Sequence, residues 1–265
     1  METVLHFKVD NLKTKVFNTR TEIGREAAVE VASRVKKVLQ TKNEVRMVFA
    51  AAPSQNEFLE EFIKHDLEWD KITAFHMDEY IGLPAGSTQS FGYYLKQHLF
   101  MHVNFKNVFY IDSSNENIEA ECARYSKLFN EKPIDIVCMG IGENGHIAFN
   151  DPPVADFEDK EIIKVVELED ACRQQQVNDR CFSSLELVPK HALTLTIPAL
   201  LSAECLSVVV PGKTKAEAVL KTLTGEISAT CPATILRRHK NVTLYLDKES
   251  YNMVEKKTED FSKKE

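Results

Sequence analysis

Short apolar runs alternate with segments of helical period along almost the whole chain. Thr19 and Glu22 form a predicted capping box, and the apolar residues after them recur along one helical face up to about residue 38. Apolar and β-branched runs predict strands at residues 4–7, 15–17, 45–51, 72–76, 108–111, 134–139, 162–166, 206–210 and 242–246. Helical period predicts further helices at residues 54–65, 88–100, 116–129 and 213–223. This alternation predicts an α/β fold with a mostly parallel sheet and helices on both faces.

Composition is that of an ordinary globular protein. The 265 residues are 43% hydrophobic and 28% charged, which excludes a disordered, collagen-like or low-complexity chain. No linker rich in Pro, Gly or Ser divides the sequence, so we expect a single domain over residues 1–254 and a fraying, charged tail at 255–265. The net charge is −7 and the basic residues are scattered, which argues against nucleic acid as a partner.

The six cysteines lie too far apart for a CxxC pair or a zinc knuckle. They are typical of buried thiols in a reducing compartment. The N-terminal residues carry charge and no apolar core of a signal peptide, and no window of about 18 apolar residues occurs that could span a membrane. We therefore expect a soluble, cytoplasmic protein without a membrane partner.

Ligands of parallel sheets bind beyond the carboxyl ends of the strands, and the first candidate loop there is MDEYIGLP at residues 77–84. Asp78 could serve as a general base, because a carboxylate shielded from water can have its pKa tuned to that task. The alternative is a solvated acidic turn in which Asp78 and Glu79 cap the next helix. His76 and Asp78 form an HxD pair, but two candidate ligands are poor evidence for a metal, and we predict none.

The second loop is GIGENGHIAFNDPP at residues 140–153. Gly140, Gly142 and Gly145 spell GxGxxG, yet Phe149 and the prolines after it prevent the helix that a dinucleotide site needs, so NAD binding is rejected. A glycine turn can instead expose backbone N–H groups and present a side chain. His146 is the side chain presented, and Asp151 follows closely enough to orient its ring for proton transfer.

Two further strand-to-helix turns could bind an anion. AAAPSQ at residues 50–55 places Pro53 and Ser54 at a helix start, where free N–H groups attract phosphate. VVVPGKTK places Gly212, Lys213 and Lys215 at a similar turn. The alternative for both is an ordinary connection with exposed lysines.

The segments FHMDEYIGLP, SFGYYLKQHLF and GIGENGHIAFNDPP together resemble the glucosamine-6-phosphate deaminase (isomerase) family, in order and spacing over nearly the whole chain. The resemblance implies a Rossmann-like fold and conversion of glucosamine 6-phosphate to fructose 6-phosphate and ammonia. It implies a small amino sugar phosphate as ligand and neither metal nor nucleotide cofactor. It leaves a homo-oligomer and a monomer as open alternatives.

Site residues follow from the resemblance position by position. Asp78 resembles the base that moves a proton between C2 and C1, and His146 the group that opens the sugar ring. Asp151 stands at the glutamate of the family's FNEP motif, one methylene shorter, and with Asn144 rather than a second carboxylate before the histidine it is expected to hold the histidine's charge largely alone. The expected substrate- and phosphate-binding residues are Ala51, Ala52, Ser54, Glu79, Gly142, Gly145, Arg180 and Lys215.

The AAAPSQ loop departs from the family's TGGTP or GGSTP pattern, because three alanines replace glycines and a hydroxyl. This keeps galactosamine 6-phosphate open as the substrate. The related 6-phosphogluconolactonases, which carry DER and GHTAS patterns, and a non-catalytic sugar-phosphate sensor are further alternatives. Allosteric members of the family bind an N-acetyl sugar phosphate just after FNEP, but the matching segment here, 154–161, is strongly acidic, so no such activation is expected.

Overall fold

The computed structural model describes residues 5–84 and 86–262, the last five of these without their side chains. The strands are β1 (Leu5–Val9), β2 (Leu12–Phe17), β3 (Val45–Phe49), β4 (Ile72–His76), β5 (Asp78–Tyr80), β6 (Asn107–Phe109), β7 (Ile136–Met139), β8 (Ile163–Glu167), β9 (His191–Leu195), β10 (Cys205–Val210) and β11 (Val242–Asp247). The α-helices are α1 (Arg20–Leu39), α2 (Asn56–Phe62), α3 (Phe91–Leu95), α4 (Ile118–Asn130), α5 (Asp170–Asn178), α6 (Ile197–Leu201), α7 (Ala216–Thr224) and α8 (Lys248–Ser262).

Eight strands form the central sheet in the order β1-β2-β11-β10-β7-β3-β4-β6. All its neighbours are parallel except the β1–β2 hairpin. Side chains of successive strand residues enter opposite core layers: Met47 and Phe49 pack with α1 and α2, whereas Val48 packs on the other face with α4 and α7. The predicted mostly parallel sheet with helices on both faces is therefore confirmed.

Helix α1 begins as the sequence predicts, because Thr19 and Glu22 form both hydrogen bonds of the capping box. Helix α8 continues into the charged tail as far as Ser262. Val4, which the pattern placed in the first strand, and residues 263–265 of the tail lie outside the described residues. No helix in the described ranges is both long and apolar enough to cross a membrane.

A second, antiparallel sheet of order β5-β9-β8 was not predicted. Asp78 pairs with Thr194 and Glu79 with Leu193, so the expected loop at 77–84 begins with a strand. The apolar segment 192–203 divides into β9 and α6, and the polar stretch after residue 166 contains α5. These elements are short, and β5 and α5 are also polar, so contacts with residues distant in sequence, rather than a local pattern, decide where they form.

The carboxyl ends of the adjacent strands β4, β3, β7 and β10 meet at one edge of the central sheet. The loops that leave this edge are the ones in which the sequence predicted the functional residues. Loop 50–55 follows β3, loop 140–153 follows β7, and the turn with Lys215 follows β10. Strand β5, which starts at Asp78, follows β4 directly.

Candidate active site

One cavity at this edge brings together many of the predicted residues. Those that line it are Ala51, Ala52, Ser54, Asp78, Gly142, His146 and Lys215. Predicted residues outside its lining are Glu79, Asn144, Gly145, Asp151 and Arg180. The sheet topology thus assembles in one place side chains that are spread over more than half of the sequence.

Asp78 is a buried carboxylate at the wall of this cavity, 6% exposed. Burial raises its pKa well above the usual aspartate value, and the neighbouring Glu79 carboxylate raises it further. No donor among the described residues hydrogen-bonds to its side chain, so nothing offsets the burial of the charged form. These properties suit a group that accepts and returns a proton.

The backbone of Asp78 is held by His76, whose ring is itself fixed. The Ile111 N–H donates to His76 Nε2 at 2.8 Å, so the ring proton resides on Nδ1, which donates to the Asp78 carbonyl at 2.9 Å. Burial lowers the pKa of His76 to about 4, and the ring is neutral near pH 7. Both ring nitrogens are thus engaged in hydrogen bonds that position the loop of Asp78.

Glu79, which is predicted to bind the substrate, does not line this cavity. Its carboxylate accepts the N–H groups of Tyr80 at 3.0 Å, Phe91 at 3.0 Å and Gly92 at 2.8 Å. Phe91 and Gly92 begin α3, so Glu79 caps that helix, which is the role that the alternative interpretation gave to this acidic turn. Its effect on the cavity is the negative charge that it places beside Asp78.

The glycines of loop 140–153 have separate tasks. The ring of His146 covers the Cα of Gly142, where a β-carbon would lie 2.1–2.3 Å from three ring atoms. Gly145 has φ +87° and packs against Cys231, so its role is in the turn rather than in the cavity. No helix begins in this loop, and the next element in the described chain is β8. The loop presents His146 and lacks the helix of a dinucleotide site.

His146 is held by Asp151, its predicted partner, and also by Asn144. Its Nδ1 lies 2.8 Å from Asn144 Oδ1 and 3.0 Å from Asp151 Oδ1, and Asn144 Nδ2 donates to the same Asp151 oxygen at 2.7 Å. Burial opposes ionisation of Asp151, but hydrogen bonds from His146 and Asn144 outweigh it and lower the pKa of Asp151 below its usual value. The carboxylate of Asp151 therefore places a negative charge beside His146, and Asn144 shares the orientation of the ring.

Lys215 is a buried cation of the cavity, 6% exposed. No carboxylate of a described residue forms an ion pair with it, and burial lowers its pKa although Asp179 and Glu143 act at longer range to raise it. Across the cavity, Ala51, Ala52 and Ser54 lie at the start of a short 3₁₀ turn, Pro53–Gln55. An unpaired buried ammonium group of this kind favours an anionic ligand.

Arg180, which is predicted to contact the phosphate, does not line this cavity. It is exposed, has φ +61° at the turn after α5, and lines a separate groove with Leu83 and Phe182. Among the described residues that line the cavity, Lys215 is therefore the one lysine or arginine.

Sequence reasoning missed Gln175 and Gln176, which line the cavity from α5. Gln175 also accepts the Glu143 N–H at 2.9 Å and so connects α5 to the loop of His146. Both side chains are buried. The sequence signal for them is a run of three glutamines, 174–176, but this stretch is polar and carries no apolar helical period that would predict α5.

Comparison with known proteins agrees with this geometry. The family described as glucosamine-6-phosphate isomerases/6-phosphogluconolactonase matches residues 18–245. The chain belongs to this family. A glucosamine-6-phosphate deaminase of Bacillus cereus strain B4264 is 35% identical over 219 residues, which is 83% of this chain and 82% of that relative.

Solved structures give the same result. A monomeric glucosamine-6-phosphate deaminase superimposes with a TM-score of 0.83 at 32% identity, over 90% of this chain and 98% of its own. A 6-phosphogluconolactonase from Thermotoga maritima superimposes with a TM-score of 0.73 at 19% identity, over 89% and 99% of the two chains. The second likeness shows a common fold.

Proposed function

We propose that the protein converts glucosamine 6-phosphate and water to fructose 6-phosphate and ammonia. The observation that carries this proposal is that one cavity holds a buried carboxylate of raised pKa, Asp78, together with a histidine oriented by a carboxylate, His146 with Asp151. Isomerisation of an aldose needs both a base at carbon and a proton relay at oxygen. The likeness to deaminases at 35% and 32% identity supports the same reaction.

In this proposal His146 opens the pyranose ring. It moves the proton of the C1 hydroxyl to the ring oxygen, which yields the open-chain aldehyde. The cationic ring formed during the transfer is stabilised by the ionised Asp151 at 3.0 Å. Gly142 leaves the space in which the imidazole lies.

Asp78 then acts on the open-chain sugar. It takes the proton from C2, and the electron pair of the C2–H bond forms the C1–C2 double bond of an enolamine while O1 takes up a proton that the ammonium group on C2 releases. The same carboxyl group then returns its proton to C1. The product is an imine at C2, which water hydrolyses to the ketone with release of ammonia. A carboxylate whose raised pKa lies nearer to neutral pH can both take and return this proton efficiently.

The phosphate is assigned to Lys215 and to the turn that contains Ala51, Ala52 and Ser54. The ammonium group would pair with the dianion, and the N–H groups and the Ser54 hydroxyl would donate to its oxygens. The three alanines offer no hydroxyl, and Arg180 lies elsewhere. We infer that Lys215 carries most of the electrostatic recognition of the phosphate.

A direct assay tests the reaction and its alternatives. The protein is incubated with glucosamine 6-phosphate, galactosamine 6-phosphate or 6-phosphogluconolactone, and release of ammonia, ketose and acid is followed. We expect ammonia and fructose 6-phosphate in equal amounts from glucosamine 6-phosphate. Ammonia from galactosamine 6-phosphate alone would reassign the sugar, acid release from the lactone alone would reassign the reaction, and binding without turnover would indicate a sensor.

A further inference from the structure

A cluster of three metal-ligating side chains lies next to the cavity, behind the ring of His146. The His146 ring, a carboxylate oxygen of Asp151 and Cys172 Sγ offer one ligand atom each, all within 4.8 Å of one another. His146 and Asp151 belong to the loop after β7, and Cys172 to the first turn of α5. All three residues are buried. Nothing in the proposed reaction uses Cys172.

The carboxylate of Asp151 has unused capacity in this cluster. Its Oδ1 accepts from Asn144 at 2.7 Å and lies 3.0 Å from His146 Nδ1. Its Oδ2 is buried and accepts no N–H or O–H hydrogen bond, and the remaining donor beside the carboxylate is the thiol of Cys172, a weak one that helps to lower the pKa of Asp151. A buried carboxylate oxygen that has at most a thiol as its donor is poorly satisfied, and a cation bound between Oδ2 and the sulfur would satisfy it better.

The loop holds Asp151 in place before any ligand arrives. The side-chain N–H₂ group of Asn150 donates to the carbonyls of Ile147 and Leu195, both at 2.9 Å. The Asp151 carbonyl accepts from the N–H groups of Val154 and Ala155 at 3.0 and 2.8 Å. A ligand site on such fixed backbone loses little conformational entropy on binding.

Ligand chemistry selects the class of ion. Sulfur, imidazole nitrogen and carboxylate oxygen are the donor set of Zn²⁺ and of ions that replace it, whereas Mg²⁺ and Ca²⁺ prefer oxygen alone. The dication displaces the thiol proton, which leaves to solvent, and the imidazole moves its own proton from Nδ1 to Nε2 and stays neutral. One carboxylate and one thiolate then balance the two charges of the ion.

We propose that His146, Asp151 and Cys172 form an inhibitory site for thiophilic dications such as Zn²⁺. A ring that donates its Nδ1 electron pair to the ion can no longer become an imidazolium, so it cannot relay a proton to the sugar. The inhibition rests on the proposed function, whereas binding of the ion does not. The reaction itself is still predicted to need no metal.

Binding is tested by titration of the full chain with CoCl₂. We expect a thiolate-to-cobalt charge-transfer band in the near ultraviolet, which ZnCl₂ removes and MgCl₂ does not. Cys172→Ser should lose this band, because a serine hydroxyl is a poor ligand for Co²⁺. Cys181→Ser is the matched control: Cys181 is a half-buried thiol nine residues further on, outside the cluster, and this variant should keep the band. Melting curves without metal check that each variant is folded, and Cys172→Ala serves if the serine variant is not.

A band of full intensity in folded Cys172→Ser or Cys172→Ala, or no band in the wild type, would overturn the site. In the activity assay, Cys172→Ser should need at least about tenfold more ZnCl₂ for half inhibition than the wild type or Cys181→Ser. If the band follows the prediction and the protein has no deaminase activity, the proposed function fails and the metal site stands. If the protein is an active deaminase that Zn²⁺ saturates without inhibition, the inhibitory role is wrong.

Discussion

The imidazole of His146 lies directly against the α-carbon of Gly142, at a distance that leaves no room for a methyl group. Gly142→Ala must therefore displace the ring from its hydrogen bonds with Asn144 and Asp151. We expect this variant to lose at least about 1 kcal/mol of stability by overpacking and most of its deaminase activity. The free energy of unfolding and kcat are the two measurements.

A double variant separates this contact from a general effect of alanine in the loop. In the His146→Ala background the ring is gone, so Gly142→Ala should cost little further stability. The coupling energy between the two positions should be of the same size as the cost of the single variant. Equal costs in both backgrounds would mean that Gly142 is needed for the backbone and not for the ring.

Asp78→Asn should abolish turnover and make the protein more stable at neutral pH. The amide cannot accept the C2 proton, and removal of a general base typically costs about 10² to 10⁴ in rate. The folded-state pKa of Asp78 is raised, so the protein loses stability as the pH rises from the unfolded-state pKa to the folded-state pKa, and the full penalty persists above it; the amide removes this penalty. We expect a higher Tm at pH 7 and no gain below the unfolded-state pKa of aspartate. More than a tenth of wild-type kcat would require another base.

Glu79→Gln tests how the neighbouring charge tunes Asp78. Activity needs Asp78 ionised, so kcat/KM should fall as the pH drops through its raised pKa. Because Glu79 contributes to that raised value, the neutral amide should move this acidic limb to lower pH. Glu60→Gln, an exposed change on α2, is the control and should leave the profile in place. An unmoved limb in Glu79→Gln would mean that a group other than Asp78 controls it.

Lys215→Met should weaken substrate binding through the phosphate. Loss of a charge-assisted hydrogen bond costs about 1.5–3 kcal/mol, which corresponds to a rise in KM of roughly 10- to 100-fold. Lys213→Met provides a matched control in the same turn, because Lys213 is exposed and does not line the cavity. Steady-state kinetics of both variants decide the point, and equal KM values for the two would place the phosphate elsewhere.

The long elements and the main site loops could be predicted from the sequence because their signals are local. The capping box involves only Thr19 and Glu22, three residues apart, and it marks the start of α1 at Arg20. Asp78 and His146 follow apolar strands directly, and parallel strands bring such positions to one edge of a sheet. The resemblance to a known family added the roles of these residues.

The remaining features depend on contacts between residues far apart in sequence. From the sequence, the side chain of Glu79 could either bind substrate or cap the next helix. The N–H groups of Phe91 and Gly92 at the start of α3 donate to its carboxylate, so it caps the helix. Arg180 and Gln176 stand four residues apart, yet the end of α5 directs one away from the cavity and the other toward it. Neither outcome leaves a periodic signal in the sequence.

Regulation by an N-acetyl sugar phosphate is predicted to be absent. The segment 154–161 carries four carboxylates and a single lysine, Lys160. Asp159 in this segment already pairs at 2.7 Å with Lys164, whose ammonium group also donates to the Val154 carbonyl, so this neighbouring cation is not free for a phosphate. The exposed carboxylates would repel a dianion.

We therefore expect hyperbolic kinetics, with the same curve in the presence and absence of N-acetylglucosamine 6-phosphate. The measurement is initial velocity against glucosamine 6-phosphate over a wide concentration range. A second copy of the chain could rebuild the site with its own basic residues, so the assay is run at several protein concentrations beside a determination of mass in solution. A sigmoidal curve that the acetylated sugar straightens, at any of these concentrations, would contradict the prediction.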